Sequence, residues 1–112
     1  MSVVSPLFGD IQGTLGEQFK FRTNIQAIAA EYVIAATAPR LQFLHPSTAV
    51  DVLLPAEDTG LFFIIVNDAN DASTLTVKDD GDSVTVATVA QNEMCIVVSD
   101  GTGWNSLVGT NT

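Results

Sequence analysis

From Phe19 onward the chain is a succession of short runs of Val, Ile, Phe and Thr, separated by Pro, Gly, Asn and Asp. Short apolar or alternating runs bounded by turn-forming residues are typical of β-strands. Segment 24–30 is rich in alanine and stays unassigned, because its composition also permits a helical turn capped by Thr23 or Asn24. We predict eight or nine strands, over residues 19–23, 32–36, 41–44, 49–54, 61–66, 74–78, 83–88, 94–99 and 104–108.

Two dipeptides, Asp80-Gly81 and Asp100-Gly101, stand between such runs and predict β-hairpins, because they accept the positive φ angles of tight turns. Alternation in the first hairpin is typical of an antiparallel sheet with one wet face. It places four apolar side chains on the other face, namely Leu75, Val77, Val84 and Val86.

Runs 61–66 and 94–98 are apolar on both faces, so they are predicted to be interior strands or strands whose outer face meets another chain. Pro46 and Pro55 cannot donate to a β-ladder and are predicted to end the strands before them. The predicted fold class is all-β: a single small antiparallel β-sandwich or barrel-like domain with an extended N-terminal arm.

Residues 1–18 differ from the rest, since an apolar cluster (Val3, Val4, Leu7 and Phe8) precedes several glycines with no period of 2 or 3.6. We predict an extended arm over 1–18 and a β-domain over 19–112. Eighteen extended residues span roughly 60 Å, enough to contact a neighbouring molecule. A disordered tail is the alternative.

The 112 residues include 13 acids and 4 bases, for a net charge of −9. Residues 1–40 are balanced, whereas 41–112 contain Lys78 as their only base. Such a surface repels phosphate backbones and anionic membranes, so we expect no nucleic-acid or membrane partner. No apolar window approaches a membrane span, and no secretory signal precedes the domain, which predicts a cytoplasmic site of synthesis.

Catalytic chemistry has few candidates. A nucleophile triad would need His45, which precedes Pro46 and is interpreted as a turn residue. Cys95 lies in an apolar strand and is interpreted as a small buried hydrophobe. We therefore predict no enzyme activity, no catalytic residue and no cofactor.

Two carboxylate clusters, 68–71 and 79–82, suggest calcium, but neither has the spacing of an EF-hand loop. Asp and Asn also form turns in their own right, so solvated turns are the preferred interpretation and no metal site is predicted. For Trp104 we favour core packing over a carbohydrate platform.

Several motifs, in order, cover about residues 30–108: EYVIAA (31–36), LQFLHP (41–46), VDVLLPAE (50–57), GLFFIIVN (60–67), LTVKD (75–79), TVA (88–90) and SDGTGW (99–104). Together they resemble small structural domains of tailed bacteriophages, which occur among capsid decoration (cement) proteins and in tail or head fibres. The chain lacks coiled-coil heptads and shaft repeats, which favours a decoration protein.

This resemblance implies a protein made in the bacterial cytoplasm that binds the outer surface of the capsid and cements the expanded shell, often as trimers. The implied partners are the major capsid protein and further copies of the chain. An exposed 62/64/66 face on a monomer would be an aggregation hazard, which favours a homo-oligomer, and we predict a trimer. A fibre or receptor- and carbohydrate-binding module is the first alternative, and a tail or neck fitting is the second.

Residues 1–29 have no counterpart in the resemblance, so we place the predicted shell contact mainly there. The candidate contact residues are Val3, Val4, Leu7, Phe8, Phe19 and Phe21 as apolar anchors, with Arg22 and Arg40 as partners for capsid acids.

Overall fold

The computed structural model describes residues 20–110, which form nine β-strands and no helix. The all-β prediction is therefore confirmed. The predicted arm, 1–18, lies outside the described residues. The strands are β1 (Thr23–Ile28), β2 (Tyr32–Val33), β3 (Leu41–Pro46), β4 (Val50–Leu53), β5 (Phe62–Asn67), β6 (Leu75–Lys78), β7 (Thr85–Val89), β8 (Glu93–Ser99) and β9 (Trp104–Thr110).

The strands form two sheets, sheet A in the order β1-β3-β5-β8-β9 and sheet B in the order β2-β4-β6-β7. The first six strands alternate between the sheets, so each winding of the chain adds one strand to each sheet. Windings of this kind leave β1, β3 and β5 parallel in sheet A, and β2, β4 and β6 parallel in sheet B. The last three strands add antiparallel pairs: β7 pairs with β6, β8 pairs with β5, and β9 pairs with β8.

The predicted antiparallel architecture is therefore wrong in part, since both sheets are mixed. Side chains alternate between faces with the same period in parallel and antiparallel strands, so the sequence pattern does not report strand direction. Direction follows from the crossing of the chain between sheets after each of the first five strands. This arrangement is sandwich-like, as predicted.

The core lies between the two sheets. Alternate residues of each central strand are fully buried, as in β5, where Phe63 and Ile65 have no exposed surface. Val52 and Val77 of sheet B are also fully buried, and so is Val97 of β8. Each such side chain stabilises the fold by roughly 1.5–3 kcal/mol. Two polar residues, Gln42 and Asn67, are buried among them.

The largest departure from the predicted strands is β1, which occupies the alanine-rich segment that we left unassigned. Thr23–Ile28 pairs residue by residue with β3, from Thr23 opposite Leu41 to Ile28 opposite Pro46. This pairing outweighs the helical propensity of the segment. β2 is shorter than predicted, because the chain leaves the sheet and makes a turn in which the Ala38 N–H donates to the Ala35 carbonyl.

Both predicted hairpins are present, β6–β7 and β8–β9. Of the four residues predicted on the inner face of the first one, Leu75 and Val77 are buried and Val86 packs partly against the core, but Val84 is 56% exposed. Ala87 and Val89 are the residues that oppose Val77 and Leu75. An irregularity between Val77 and Lys78 shifts the ladder. The positive φ angle of the loop, 57°, belongs to Asp82 rather than to Gly81.

Candidate interaction face of the five-stranded sheet

The two outer faces of the sandwich differ in chemistry. On sheet B the outward positions are mostly polar, and Lys78 Nζ lies 3.3 Å from both Asp51 Oδ2 and Asp82 Oδ1. These two carboxylates raise the pKa of Lys78 by hydrogen bonding to its ammonium group. This is the wet, charged face that a soluble sheet normally presents.

On sheet A the outward positions are mostly apolar, and the polar exceptions are Thr23, His45 and Asn105. The pairing register aligns Leu41, Ile64, Ile96 and Leu107 in one row across the sheet, and Ile25, Phe43, Val66 and Met94 in the next. Phe62 and Val98 form a third, shorter row. We call these residues the apolar face: Ile25, Leu41, Phe43, Phe62, Ile64, Val66, Met94, Ile96, Val98 and Leu107.

No strand of sheet A places a charged side chain on the apolar face. The only charged residue in its five strands is Glu93, which has the inward parity of buried Cys95. Glu93 Oε1 accepts a hydrogen bond of 2.9 Å from the Ala90 N–H, so this carboxylate caps the preceding turn. A contiguous outward surface of this kind is typical of a protein interaction site.

A hollow of about 410 Å³ lies at the β8–β9 side of the apolar face. Its apolar lining includes Met94, Ile96 and Leu107, and Gly109 leaves it open because glycine has no side chain. A Cβ placed on Gly109 would meet no atom within 4 Å. The hollow therefore has room for an apolar side chain from a partner.

Three predicted contact residues meet at the other end of the sheet. The ring of Phe21 packs edge-on against Phe62 at a centroid distance of 5.6 Å. The Arg40 guanidinium carbon lies 5.0 Å from the centroid of Phe63, within reach of a cation–π interaction. Arg22 Nη2 donates to the Thr37 carbonyl at 2.8 Å.

Arg40 Nη1 donates to the Ala36 and Ala38 carbonyls, so both arginines bind the turn that precedes β3. A guanidinium has five N–H donors, and these contacts leave donors for a partner carboxylate. Sequence reasoning thus selected Phe21, Arg22 and Arg40, which the fold brings together. The remaining predicted contacts, Val3, Val4, Leu7, Phe8 and Phe19, lie outside the described residues.

Cys95, by contrast, points away from the apolar face into the core, as predicted. Burial raises the pKa of its thiol to about 11, so the reactive thiolate is scarce at neutral pH. His45 is half-buried within β3. Trp104 is also half-buried and packs against the core, with its ring 6.4 Å from that of Phe63.

The acidic turns bind their own backbone. Asp71 Oδ1 accepts from the Ser73 N–H at 3.0 Å and from its hydroxyl, and these bonds lower the pKa of Asp71. Asp79 Oδ1 accepts from the Ser83 N–H in the β6–β7 loop. Within residues 20–110, no three His, Cys, Asp or Glu side chains converge to hold a metal ion.

Sequence reasoning indicated six of the ten residues of the apolar face, those in β5 and β8, and missed the other four. The apolar character of β5 and β8 on both sides revealed Ile64, Val66 and Ile96, but Ile25 and Leu107 lie in strands with mixed composition. Only the register of the sheet places them in the same surface.

In the described part of the chain, no helix has the length and apolar character needed to cross a membrane. Comparison with known proteins finds no matching family model, no matching curated protein and no matching solved structure.

Proposed function

We propose that this protein is a structural virion protein of a tailed bacteriophage, which binds the outer surface of the capsid and cements the expanded shell. Its partners are the major capsid protein and further copies of itself, assembled as a homotrimer. The observation that carries the proposal is the contrast between the uncharged apolar face of sheet A and the charged face of sheet B. The motif resemblance over residues 30–108 supports the phage assignment.

The contrast between the two sheets supports a protein that binds its partner through sheet A and exposes sheet B to solvent. The centre of a protein interface is depleted in charged residues, and the apolar face meets that description. The anionic loops and sheet B then face solvent, where their negative charge keeps capsids that carry many copies of the protein from associating. A subunit that binds only the assembled lattice stabilises that lattice by mass action, by about 2.7 kcal/mol per site at a hundredfold excess over Kd.

The test is co-sedimentation of the full chain with expanded capsids that were assembled without it. Ile96→Glu places a carboxylate in the middle of the apolar face, at a side chain that is already partly exposed, and leaves the core intact. We expect its affinity for the capsid to fall more than tenfold. Thr88→Glu, on the outer face of sheet B, is the matched control and keeps wild-type affinity.

Two outcomes contradict the proposal. If wild-type protein does not sediment with the capsids, the capsid assignment is wrong; if Ile96→Glu binds like wild type, the apolar face does not make the contact.

Deleting residues 1–18 tests the predicted arm separately, and we expect the truncated protein to lose its binding to capsids. Imaging virions distinguishes hundreds of copies on the lattice from the few copies that a fibre or tail fitting would show.

A further inference from the structure

The two edge strands of sheet A are unusually unprotected. Edge strands present unpaired N–H and C=O groups, and soluble proteins usually guard them with lysine, proline or short length. β1 has six residues and β9 has seven, and the two strands contain neither a charged residue nor a proline. Within residues 20–110, no strand pairs with the outer edge of either, and β9 contacts the neighbouring sheet through Ser106 Oγ, which donates to the Val86 carbonyl of β7 at 2.9 Å.

The most exposed large apolar side chains lie at these edges. Ile25 in β1 is 78% exposed and Leu107 in β9 is 70% exposed. Ile96 and Val98, in the interior strand β8, are each 41% exposed. Hydrophobic exposure therefore increases toward the two sides of the sheet, where another chain would cover it.

The two sides also carry opposite charge. Lys20 and Arg22 directly precede β1, and these are two of the four bases in the chain. On the opposite side, between β7 and the start of β9, lies a cleft of about 330 Å³ whose lining includes Glu57, Asp79 and Trp104. Asp100 stands in the neighbouring β8–β9 turn.

The basic and acidic groups occupy the same end of the sheet. β1, β3 and β5 are parallel, and two successive antiparallel pairings bring β9 back to the same direction. The register carried across the sheet places Thr23 level with Leu107, so the residues just before β1, which include Lys20 and Arg22, lie level with the first residues of β9. If a second copy lay beside β9 in the same orientation, its Lys20 and Arg22 would approach the acidic cleft.

We infer that β1 of one copy pairs in parallel with β9 of a second copy, so that sheet A continues from subunit to subunit. Ile25 then packs beside Leu107, over the hollow that Gly109 leaves open. Joining like edges in parallel would bring Lys20 and Arg22, or the acids of the cleft, against their own copies, and joining them antiparallel would keep the bases away from the acidic cleft. The charges therefore favour the head-to-tail arrangement.

A contact between two different surfaces generates a ring when the rotation closes. Three subunits close the ring in the homotrimer that we propose above, and the inference rests on that self-association. It names the interface between copies and uses only the two edges of the apolar face, so it does not depend on what the rest of that face binds.

Disulfide trapping tests the pairing. We would prepare full-length Ile25→Cys, Leu107→Cys and Gly109→Cys chains, with the Ile25→Cys chain isotopically labelled, and oxidise them singly and in mixtures. Neighbouring strands lie about 4.8 Å apart, within the Cα separations that a disulfide spans. Native Cys95 does not interfere, because it is buried.

We expect covalent pairs between Ile25→Cys and either Leu107→Cys or Gly109→Cys in the mixtures, and no cross-link in a single variant. A mixture of Ile25→Cys with Thr88→Cys, on the outer face of sheet B, is the control and stays uncross-linked. A chain with both Ile25→Cys and Leu107→Cys is expected to close into a covalent trimer. Homotypic cross-links, or none in any mixture, would overturn the inference.

Charge reversal provides a second readout. Lys20→Glu is expected to slow trapping several-fold, and combining it with Glu57→Lys on the receiving chain is expected to restore the rate. Equal rates for all combinations would contradict the electrostatic part of the pairing. The inference and the capsid proposal fail separately: capsid binding without cross-links overturns the pairing alone, whereas cross-linking without capsid binding overturns only the proposed function.

Discussion

The side chain of Asn67 donates a 2.9 Å hydrogen bond to the Val89 carbonyl, and this bond joins the two sheets through the core. Asn67 ends β5 in sheet A, whereas Val89 ends β7 in sheet B. The same amide donates to the Ser73 carbonyl, and its oxygen accepts from the Ala69 N–H. One buried amide thus satisfies three backbone groups from two separate segments.

We expect Asn67→Ala to destabilise the protein by about 2–4 kcal/mol, because it leaves several buried backbone groups without partners. Asn70→Ala, at an exposed position three residues later, is the control and should change the free energy of unfolding by less than about 0.5 kcal/mol. Urea denaturation measures both. Similar values for the two variants would show that the Asn67 bonds do not stabilise the fold.

A second buried amide, Gln42, connects three segments. Its Oε1 accepts from Asn24 Nδ2 at 2.9 Å and from the Tyr32 hydroxyl at 3.2 Å, and its Nε2 donates to the Pro39 carbonyl. We expect Gln42→Ala to cost about 2–3 kcal/mol and Tyr32→Phe about 1 kcal/mol. In a double-mutant cycle the two losses should be non-additive. We expect an interaction energy of at least about 0.5 kcal/mol, because both residues belong to one hydrogen-bond network. Additive losses would contradict this coupling.

The β8–β9 turn depends on Gly101, whose φ angle is +98°. A Cβ there would lie 2.5 Å from the Thr59 Oγ1 atom, so Gly101→Ala introduces both backbone strain and a close contact. We expect a loss of about 1–3 kcal/mol, measured as a lower urea midpoint. Thr59→Ala should relieve only the contact. Gly103→Ala, where a Cβ meets nothing within 4 Å, is the matched control and should be near neutral.

The buried thiol makes stability depend on alkaline pH. Folding raises the pKa of Cys95 from 9.0 to about 11, so the unfolded chain releases this proton first as the pH rises. The contribution of the Cys95 thiol to the free energy of unfolding is fully present below pH 9 and is lost as the pH rises through about 11. The loss is about 1–3 kcal/mol at 1.36 kcal/mol per pKa unit.

Comparison with Cys95→Ala isolates this effect, because Tyr32 and Lys78 also have raised pKa values and lose stability in the same direction. We expect the stability difference between wild type and Cys95→Ala to shift in favour of the variant between pH 9 and 11. Parallel stability curves across that range would show that the thiol does not titrate on unfolding.

The sequence by itself determined where most strands lie and which dipeptides turn the chain. The runs at 41–44, 61–66 and 94–99 match β3, β5 and β8 within one or two residues. Asp100-Gly101 turns the chain between β8 and β9 as predicted, and Asp100 Oδ1 accepts from the Thr102 and Gly103 N–H groups there. These features depend on neighbours within a few residues, so local composition is sufficient to find them.

Tertiary structure alone decided which side of each strand faces the core. In β3 the polar residue Gln42 is fully buried, whereas Leu41 and Phe43 lie on the outer face, the reverse of what hydrophobicity predicts. Gln42 is stable in the core because Asn24, Tyr32 and Pro39 supply its hydrogen-bond partners. Those partners, like the parallel pairing of β1 with β3 and the apolar face itself, come from segments that meet only after folding. Residue alternation does not encode the direction of a strand, its sheet or its neighbours; the packing of distant segments decides them.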